Sequence, residues 1–266
     1  MPGSIHLSVL SDDFGMCPEV NEGIVEAFTK GLLTDANLMA PCPAFNEAAQ
    51  MAKDYKIPVG MHATFTAEWD RLRWGPLTSL KSMVRPDGTL HDTVEEAWKK
   101  ADVAEAEGEF EAQWKLIESK GLKMNHACEH MGAEAKFAGI FSRKLKEKKV
   151  PYRNFTLDGE EYDIPHFKWD SVFTSSMLGT ELAPRKKALL DWLNSIGPGY
   201  HIWHLHSAVD KPSLAQIASP DHPAADWTRL YRVLDQALVM DPEVGELLEK
   251  RGIQRVSVSK CPVVGF

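Results

Sequence analysis

The sequence predicts an α/β fold of the TIM-like (βα) barrel type, irregular or incomplete, as a single domain over residues 1–266. Short β-rich runs alternate with longer segments whose apolar residues recur every three to four positions, which is typical of helices covering a parallel sheet. Seven or eight such units over 266 residues fit a closed or nearly closed barrel. We find no internal repeat, low-complexity tract or linker that divides the chain.

The first predicted βα unit consists of a strand at Ile5–Leu10 and a helix over Val20–Lys30, which Gly31 ends. Two irregular stretches, 68–91 and 160–184, contain turn residues and are predicted to be lids or binding loops. Further strands are predicted at Ala36–Met39, Val59–Phe65, Met124–Ala127, Tyr152–Asn154, His201–His206 and Val256–Ser259. Further helices are predicted over Phe45–Tyr55, Val94–Lys120 with an interruption near Gly108, Phe137–Lys148, Arg185–Ser195, Trp227–Val239 and Pro242–Arg251.

Charge and composition narrow the class of partner. The chain has 30 Lys and Arg against 38 Asp and Glu, a net charge of −8, which disfavours nucleic acid and anionic membranes as partners and favours a neutral, polar substrate. No signal-peptide pattern opens the sequence, and no apolar run approaches the roughly 20 residues of a membrane span. The four cysteines lack CxxC spacing, so we expect a cytoplasmic protein without a disulfide framework. The sequence leaves a homo-oligomer open.

Polar side chains close four of the predicted strands. Because the active site of a (βα) barrel lies at the carboxyl ends of its strands, these residues are the candidates for chemistry. Two imidazoles and one carboxylate around an open position suffice to bind a catalytic divalent metal. The candidates are Asp12 and Asp13 after LSVLS, His62 in VGMHATF, His126 and His130 in MNHACEHMG, and His204 and His206 in HIWHLHS.

Residue types alone leave structural roles open for each candidate. The aspartate pair could cap the following turn, and a lone histidine such as His62 is often a satisfied core residue. HACEH lacks the HExxH order of a zincin, and Cys128 within it could be a soft metal ligand. In a strand, His204 and His206 share one face and His201 lies on the other. The adjacent Asp12 and Asp13 would point in alternate directions, so that one binds metal and the other faces the attacking water.

Taken together, these segments resemble the YdjC-like carbohydrate deacetylase family, which includes the chitooligosaccharide deacetylases. The segment SDDFGMCPEVNEGIVEAFTKGLLTDANLM is similar to the family's opening DDFG segment, its Asn-x-Gly-Ile helix and the turn that follows. VGMHATFT is similar to its Gly-hydrophobic-His strand, and MNHACEHMG to its His-x-Asp-x-His segment. HLHSAVD matches the late His-Pro segment less closely. The resemblance covers nearly the whole chain and implies a TIM-like, somewhat irregular barrel.

The resemblance also implies roles for individual residues. Asp13, His62 and His130 would be the metal ligands, since His130 rather than His126 matches the second histidine of the family's segment. Asp12 would be the catalytic base, and His206 the late histidine that acts as general acid. The metal is a divalent cation, with Zn²⁺ favoured and Mg²⁺, Ni²⁺ or Co²⁺ compatible with such ligands.

The sequence departs from the family pattern at two positions. Cys128 stands where an aspartate is common, and loss of that carboxylate would weaken metal binding roughly 10–100-fold unless another group replaces it. Ser207 stands where proline often follows the late histidine, which leaves His204 as an alternative to His206. The irregular segment at 67–77 offers Arg73 and Trp74, together with Trp69, as candidate sugar contacts, although packing within the loop would explain each equally well.

The predicted function is metal-dependent removal of an N-acetyl group from a small carbohydrate, with release of acetate. Two alternatives remain open. A two-His-one-carboxylate site also occurs in Fe(II) oxygenases, although the long helices here disfavour the double-stranded β-sheets that carry those sites. A catalytically decayed sugar-binding protein on the same scaffold would explain the two departures.

Overall fold

A computed structural model of the chain describes residues 3–132, 135–155, 158–217 and 227–266. Its strands are β1 (Ile5–Phe14), β2 (Asp35–Leu38), β3 (Val59–Ala63), β4 (Met124–Glu129), β5 (His166–Phe167), β6 (Ser171–Thr174), β7 (Gly199–Leu205), β8 (Ile253–Arg255) and β9 (Val263–Val264). Its α-helices are α1 (Pro18–Thr29), α2 (Phe45–Asp54), α3 (Val94–Lys100), α4 (Val103–Ser119), α5 (Ala135–Lys148), α6 (Leu182–Ser195), α7 (Trp227–Val239) and α8 (Pro242–Arg251).

Seven strands form a parallel sheet in the order β4-β3-β2-β1-β7-β6, with β8 paired to the first residues of β1, and β5 and β9 form a separate antiparallel pair. Beyond β4, single parallel bridges from Ala127 to Tyr152 and from Tyr152 to His166 continue the curve to β5. In the part of the chain that the structure describes, no ladder joins β5 to β6, so the ring stays open there. The predicted fold class, an irregular or incomplete (βα) barrel, is confirmed.

Burial follows from this architecture. Every residue of β2 and β3, and the last eight residues of β1, is buried, as expected for parallel strands with side chains packed on both faces. The polar residues at the carboxyl ends of these strands are buried with them. Among the described residues, no helix is both long enough and apolar enough to cross a membrane.

Local sequence accounts for where several helices begin and end. In α8, the Asp241 side chain accepts a hydrogen bond from the Glu243 amide, Pro242 occupies the first turn, and Gly252 follows in the left-handed conformation at φ +63°. The long predicted helix over 94–120 is interrupted at 101–102 and not near Gly108. Asp102 starts α4 by accepting hydrogen bonds from the amides of Ala104 and Glu105.

Two strand predictions and one prediction of irregular structure need correction. The strand predicted at Val256–Ser259 is shifted: β8 precedes it, and Ser257 caps a short 3₁₀-helix over Val258–Lys260. The strand predicted at Tyr152–Asn154 is reduced to isolated β-bridges at Tyr152. The stretch predicted as irregular after residue 160 contains β5 and β6, which are only two and four residues long, too short for a clear alternating pattern.

Candidate metal and catalytic site

A cavity of about 800 Å³ opens at the carboxyl ends of the parallel strands. Its wall includes all five residues predicted to bind metal or transfer protons. They come from the ends of β1, β3, β4 and β7, which explains how residues far apart in the sequence meet. These residues are Asp12, Asp13, His62, His130 and His206.

Asp13, His62 and His130 direct three potential ligand atoms toward one point. Asp13 Oδ1 lies 3.5 Å from His62 Nε2 and 3.4 Å from His130 Nδ1. The two ring nitrogens are 3.3 Å apart. Within the described residues, Asp13 Oδ1 is buried without a hydrogen-bond partner, which is costly unless a cation or donor satisfies it. This buried carboxylate oxygen beside two imidazole nitrogens fits a divalent metal ion.

The backbone at Asp13 explains how two consecutive carboxylates reach the same cavity. Alternation along a strand would send them to opposite faces. Instead, Asp13 adopts the left-handed conformation at φ +70°, and the register between β1 and β2 shifts between Ser11 and Phe14. Both carboxylates consequently approach His62 Nε2, Asp12 Oδ2 at 3.6 Å and Asp13 Oδ1 at 3.5 Å. The predicted alternate directions are therefore wrong, and the two side chains differ instead in their partners.

Asp12 is held by hydrogen bonds to both of its carboxylate oxygens. Arg153 Nη1 donates at 2.5 and 2.6 Å, and Asn37 Nδ2 donates to Oδ1 at 2.6 Å. His204 Nε2 lies 2.9 Å from Oδ2. Burial raises the pKa of Asp12, but Arg153, His62 and His204 outweigh burial and hold that pKa well below its usual value. Asp12 is consequently ionised at neutral pH.

Asp13 has a different cation. Arg232 Nη2 donates to Asp13 Oδ2 at 2.5 Å, and its guanidinium also stacks against the rings of Trp69 and Tyr231. Burial raises the pKa of Asp13, yet Arg232 and the two imidazoles hold it well below its usual value. One carboxylate oxygen is thus fixed by Arg232, and the other faces His62 and His130.

His204 and His206, the two histidines at the end of β7, differ in their hydrogen-bond contacts. His204 Nε2 is directed at Asp12, whereas His206 Nδ1 lies 2.7 Å from Ser176 Oγ. Both rings line the cavity, in an edge-to-face arrangement with centroids 4.9 Å apart. His206 therefore keeps its Nε2 atom available to a bound molecule, whereas the Nε2 atom of His204 is engaged in a hydrogen bond with Asp12.

Glu68 is a site residue that sequence reasoning missed. Its two carboxylate oxygens each lie 2.9 Å from His130 Nε2, on the side of the ring opposite Asp13. Burial lowers the pKa of His130, but Glu68 and Asp13 outweigh burial and raise it to about 10. The two carboxylates thus favour positive charge at this point, which a metal dication would also supply. No spacing signal marks Glu68, because it lies in the irregular loop after β3.

The two arginines were also missed. Arg153 follows the bridge residue Tyr152 and lies within the strand predicted at Tyr152–Asn154, so applying the strand-end criterion to that strand as well would have found it. Arg232 lies on α7, a helix whose pattern gave no functional signal.

Comparison with known proteins shows which family the chain belongs to. A sequence profile of YdjC-like proteins matches residues 6–250. The chain belongs to the YdjC-like family. It is 37% identical over 252 residues to a Geobacillus stearothermophilus protein named carbohydrate deacetylase, covering 94% of this chain and 95% of that protein. It is 30% identical over 190 residues to a Vibrio cholerae protein of the same name, covering 68% of this chain and 70% of that protein.

A solved structure supports the fold. An Enterococcus faecalis V583 protein, named for a proposed cellobiose-phosphate cleavage activity, superposes with a TM-score of 0.77 at 22% identity. The match covers 96% of this chain and 97% of that one. The likeness shows that the two proteins share their overall fold.

The two residues that depart from the YdjC-like pattern, Cys128 and Ser207, both make hydrogen-bond contacts with nearby residues. Cys128 Sγ lies 3.0 Å from His62 Nδ1, on the side of the ring opposite Asp13. Burial raises the pKa of the Cys128 thiol well above its usual value, so it contacts His62 as a neutral thiol. The Ser207 amide donates to Ser11 Oγ at 3.0 Å, a bond that proline could not make.

Arg73 and Trp74, the predicted sugar contacts of this YdjC-like chain, are not among the described residues that line the cavity. Arg73 pairs with Asp92 at 2.7 Å and donates to the Leu90 carbonyl at 2.7 Å. Trp74 is buried, and its Nε1 donates to the Thr66 carbonyl at 2.9 Å. Both side chains hold the loop together, and Trp69 contributes the aromatic surface at the cavity instead.

His126, the alternative to His130, lies outside the described lining of the cavity. Its Nδ1 lies 2.5 Å from Asn125 Oδ1, and its ring packs against Gly60, where an added Cβ would come within 2.5 Å. Burial lowers the pKa of His126 to about 3, so the ring is neutral. These contacts favour a structural role for His126.

Proposed function

We propose that this chain is a metal-dependent hydrolase that removes an N-acetyl group from a small carbohydrate and releases acetate. The observation that carries the proposal is the buried, unpartnered Asp13 Oδ1 beside two imidazole nitrogens, with the separately held carboxylate of Asp12 next to it. The relatives named carbohydrate deacetylase support the choice of reaction and substrate class.

Asp13, His62 and His130 would hold the divalent metal, through Oδ1, Nε2 and Nδ1. Mixed nitrogen and oxygen ligands suit Zn²⁺ best, while Mg²⁺, Ni²⁺ and Co²⁺ are also compatible with them. When bound, such a metal supplies Lewis acidity, which polarises a carbonyl and lowers the pKa of water toward about 7.

Asp12 and His206 would move the protons. Asp12, ionised at neutral pH, accepts a proton from water as the water oxygen attacks the acetyl carbonyl carbon. Collapse of the tetrahedral intermediate breaks the C–N bond, and His206 Nε2 donates a proton to the departing nitrogen. One water is consumed, and a free amine and acetate are released. Arg153 and His204 orient Asp12, so that its carboxylate is fixed before substrate arrives.

The cavity suits a small sugar. A volume of about 800 Å³ lies within the range of small-molecule sites. Trp69 and Tyr231 provide aromatic surface in its wall, which can pack against the apolar face of a pyranose. Arg153 and Arg232 are both paired with aspartates, an arrangement that favours a neutral sugar over a polyanion.

Acetate release from N-acetylglucosamine and its β-1,4-linked dimer and trimer tests the proposal. We expect turnover with metal-loaded protein, loss of turnover after chelation, and recovery when Zn²⁺, Ni²⁺, Co²⁺ or Mg²⁺ is added back. Sugar binding without acetate release under every metal would contradict the proposal and favour a decayed sugar-binding protein. Turnover that requires iron and oxygen would favour the oxygenase alternative.

A further inference from the structure

Two buried side chains, Ser176 and Asp235, lie in sequence on the Nδ1 side of the His206 ring. Ser176 Oγ is 2.7 Å from His206 Nδ1 and donates to Asp235 Oδ2 at 2.6 Å. The backbone amide of His206 donates to the same Asp235 oxygen at 2.9 Å. Ser176 and Asp235 are 4% and 0% exposed, so bulk water does not compete for these bonds.

Asp235 carries a negative charge in this position at neutral pH. Burial raises its pKa to about 6, while the hydroxyls of Ser176 and Ser175, the His206 amide and Arg185 oppose burial. Arg185, on α6, is fully buried and its Nη1 donates to Asp235 Oδ1 at 3.1 Å. Tyr231, one turn earlier on α7, is a further titratable neighbour. The hydrogen bonds and the Arg185 pair together keep the pKa of Asp235 below neutral pH and hold its carboxylate against Ser176.

The direction of each hydrogen bond follows from this charge. An ionised carboxylate only accepts, so the single hydroxyl proton of Ser176 goes to Asp235. Ser176 Oγ can then only accept from the ring, which places a proton on His206 Nδ1. In the neutral ring, His206 Nε2 carries the lone pair and faces the cavity.

We propose that Ser176 and Asp235 are positioning residues that fix His206 as the Nδ1–H tautomer and stabilise its protonated form, so that Nε2 delivers the proton to the departing amine. The tautomer rests on the contacts alone, whereas its use in catalysis rests on the proposed deacetylation. Ser176 lines the cavity, whereas Asp235 is not among its described lining residues, and both act through His206.

The surroundings of His206 show why such support matters. Burial lowers the pKa of His206 well below its usual value, which disfavours the protonated ring that a general acid requires. From β1, Asp13 and Asp12 oppose burial, whereas His204 and Arg232 add to its effect. The Tyr231 ring packs edge-on at 5.4 Å between centroids. Asp235 therefore supplies negative charge on the Nδ1 side of the ring, through the Ser176 hydroxyl.

The direct test is the tautomer of His206 in metal-free protein, read from its ring ¹⁵N chemical shifts at neutral pH and assigned with a His206→Gln variant. We expect the Nδ1–H form in the parent protein and in Ser176→Thr, which keeps the hydroxyl. We expect loss of that preference in Ser176→Ala. An Nε2–H ring in the parent protein would overturn the proposal.

The pH profile provides a second readout. In Ser176→Ala and Asp235→Asn, the protonated ring loses support, so the basic limb of kcat moves to lower pH by about one unit and KM is little changed. Ser171→Ala is the matched control, because it removes a hydroxyl that lies 3.1 Å from the Nδ1 atom of a different histidine, His201. An unchanged tautomer and pH profile in Ser176→Ala would overturn the proposed role of Ser176 and Asp235. An Nδ1–H ring without acetate release from any sugar would support that role and refute the proposed function.

Discussion

Asp12 and Asp13 are neighbours in the chain, yet they lie in opposite kinds of surroundings. Both oxygens of Asp12 are occupied, by Arg153, Asn37 and His204. Asp13 is held through Oδ2 by Arg232, while its Oδ1 has no hydrogen-bond partner among the described residues. A carboxylate oxygen that is buried and unpaired suits a metal ion, whereas a fully positioned carboxylate suits proton transfer.

The contrast shows how one strand end can carry two functions. Each aspartate is paired with its own arginine: Asp12 with Arg153, and Asp13 with Arg232 on α7. Both carboxylates can therefore stay ionised although they are adjacent in the chain. The left-handed backbone at Asp13 then turns both side chains into the cavity. Variants that alter one aspartate and spare the other should therefore separate metal binding from turnover.

The largest expected effect is that of Asp12→Asn on turnover. An amide cannot accept the proton from water, so kcat should fall by about 10²–10⁴-fold while metal content stays at the parent level. Acetate release and elemental analysis of the same sample measure both quantities. Asp191→Asn, at an exposed helix position, serves as the control and should match the parent. Retention of most activity would show that Asp12 is not the base.

Next in size is the effect of Glu68→Gln on metal affinity. Losing the carboxylate that contacts His130 Nε2 should weaken metal binding by about 10–100-fold, because that contact orients the ring and increases its basicity. Competition with a chelator measures the affinity. Glu95→Gln, at an exposed position on α3, is the control. Equal affinities in the two variants would remove Glu68 from the site.

Replacing Arg153 should change the pKa of Asp12 and leave Asp13 paired with Arg232. Arg153 is the cation that most strongly opposes the effect of burial on the pKa of Asp12. In Arg153→Gln, the pKa of Asp12 therefore rises, and the acid limb of kcat/KM moves to higher pH. Breaking this buried pair should also lower the free energy of unfolding by about 3–5 kcal/mol.

The pH dependence of stability has a defined sign. In the parent, the lowered pKa of Asp12 contributes stability that is present above its unfolded pKa near 3.9 and is lost as the pH falls through the lower folded value. Denaturant unfolding at neutral and acidic pH should show this loss in the parent and less of it in Arg153→Gln. The exposed Arg143→Gln variant should follow the parent. An unchanged acid limb in Arg153→Gln would mean that Arg153 does not set the pKa of Asp12.

The smallest effect is expected for Cys128→Ala. A neutral thiol is a weak hydrogen-bonding group, so losing its contact with His62 Nδ1 should weaken metal binding by less than about tenfold. Cys128→Ser, which keeps a polar atom, should lose less affinity than Cys128→Ala in the same chelator competition. A loss as large as that of Glu68→Gln would show that the thiol orients His62 as firmly as a carboxylate orients His130.

Much of the fold and part of the site could be predicted from the sequence. Strand-end position brings Asp12, Asp13, His62, His130 and His206 to one cavity, because parallel strands present their carboxyl ends at one edge. The groups that hold these residues could not be found this way. Glu68 lies in a loop, and Arg232 on a helix, where no periodic pattern relates them to the strands.

The sugar contacts illustrate the same limit. Arg73 and Trp74 have suitable chemistry for a carbohydrate, yet the loop folds with both side chains directed into its own hydrogen bonds. Trp69, five residues or fewer from each, faces the cavity. Side-chain direction in an irregular segment depends on tertiary packing, because no strand or helix period fixes it.

The central claim is that Asp13 binds the metal and Asp12 does not. The most direct measurement is the metal-to-protein ratio of Asp12→Asn and Asp13→Asn, loaded with Zn²⁺ and desalted side by side with the parent protein. We predict the parent ratio in Asp12→Asn and a ratio far below it in Asp13→Asn. Loss of metal from Asp12→Asn together with retention in Asp13→Asn would contradict the account.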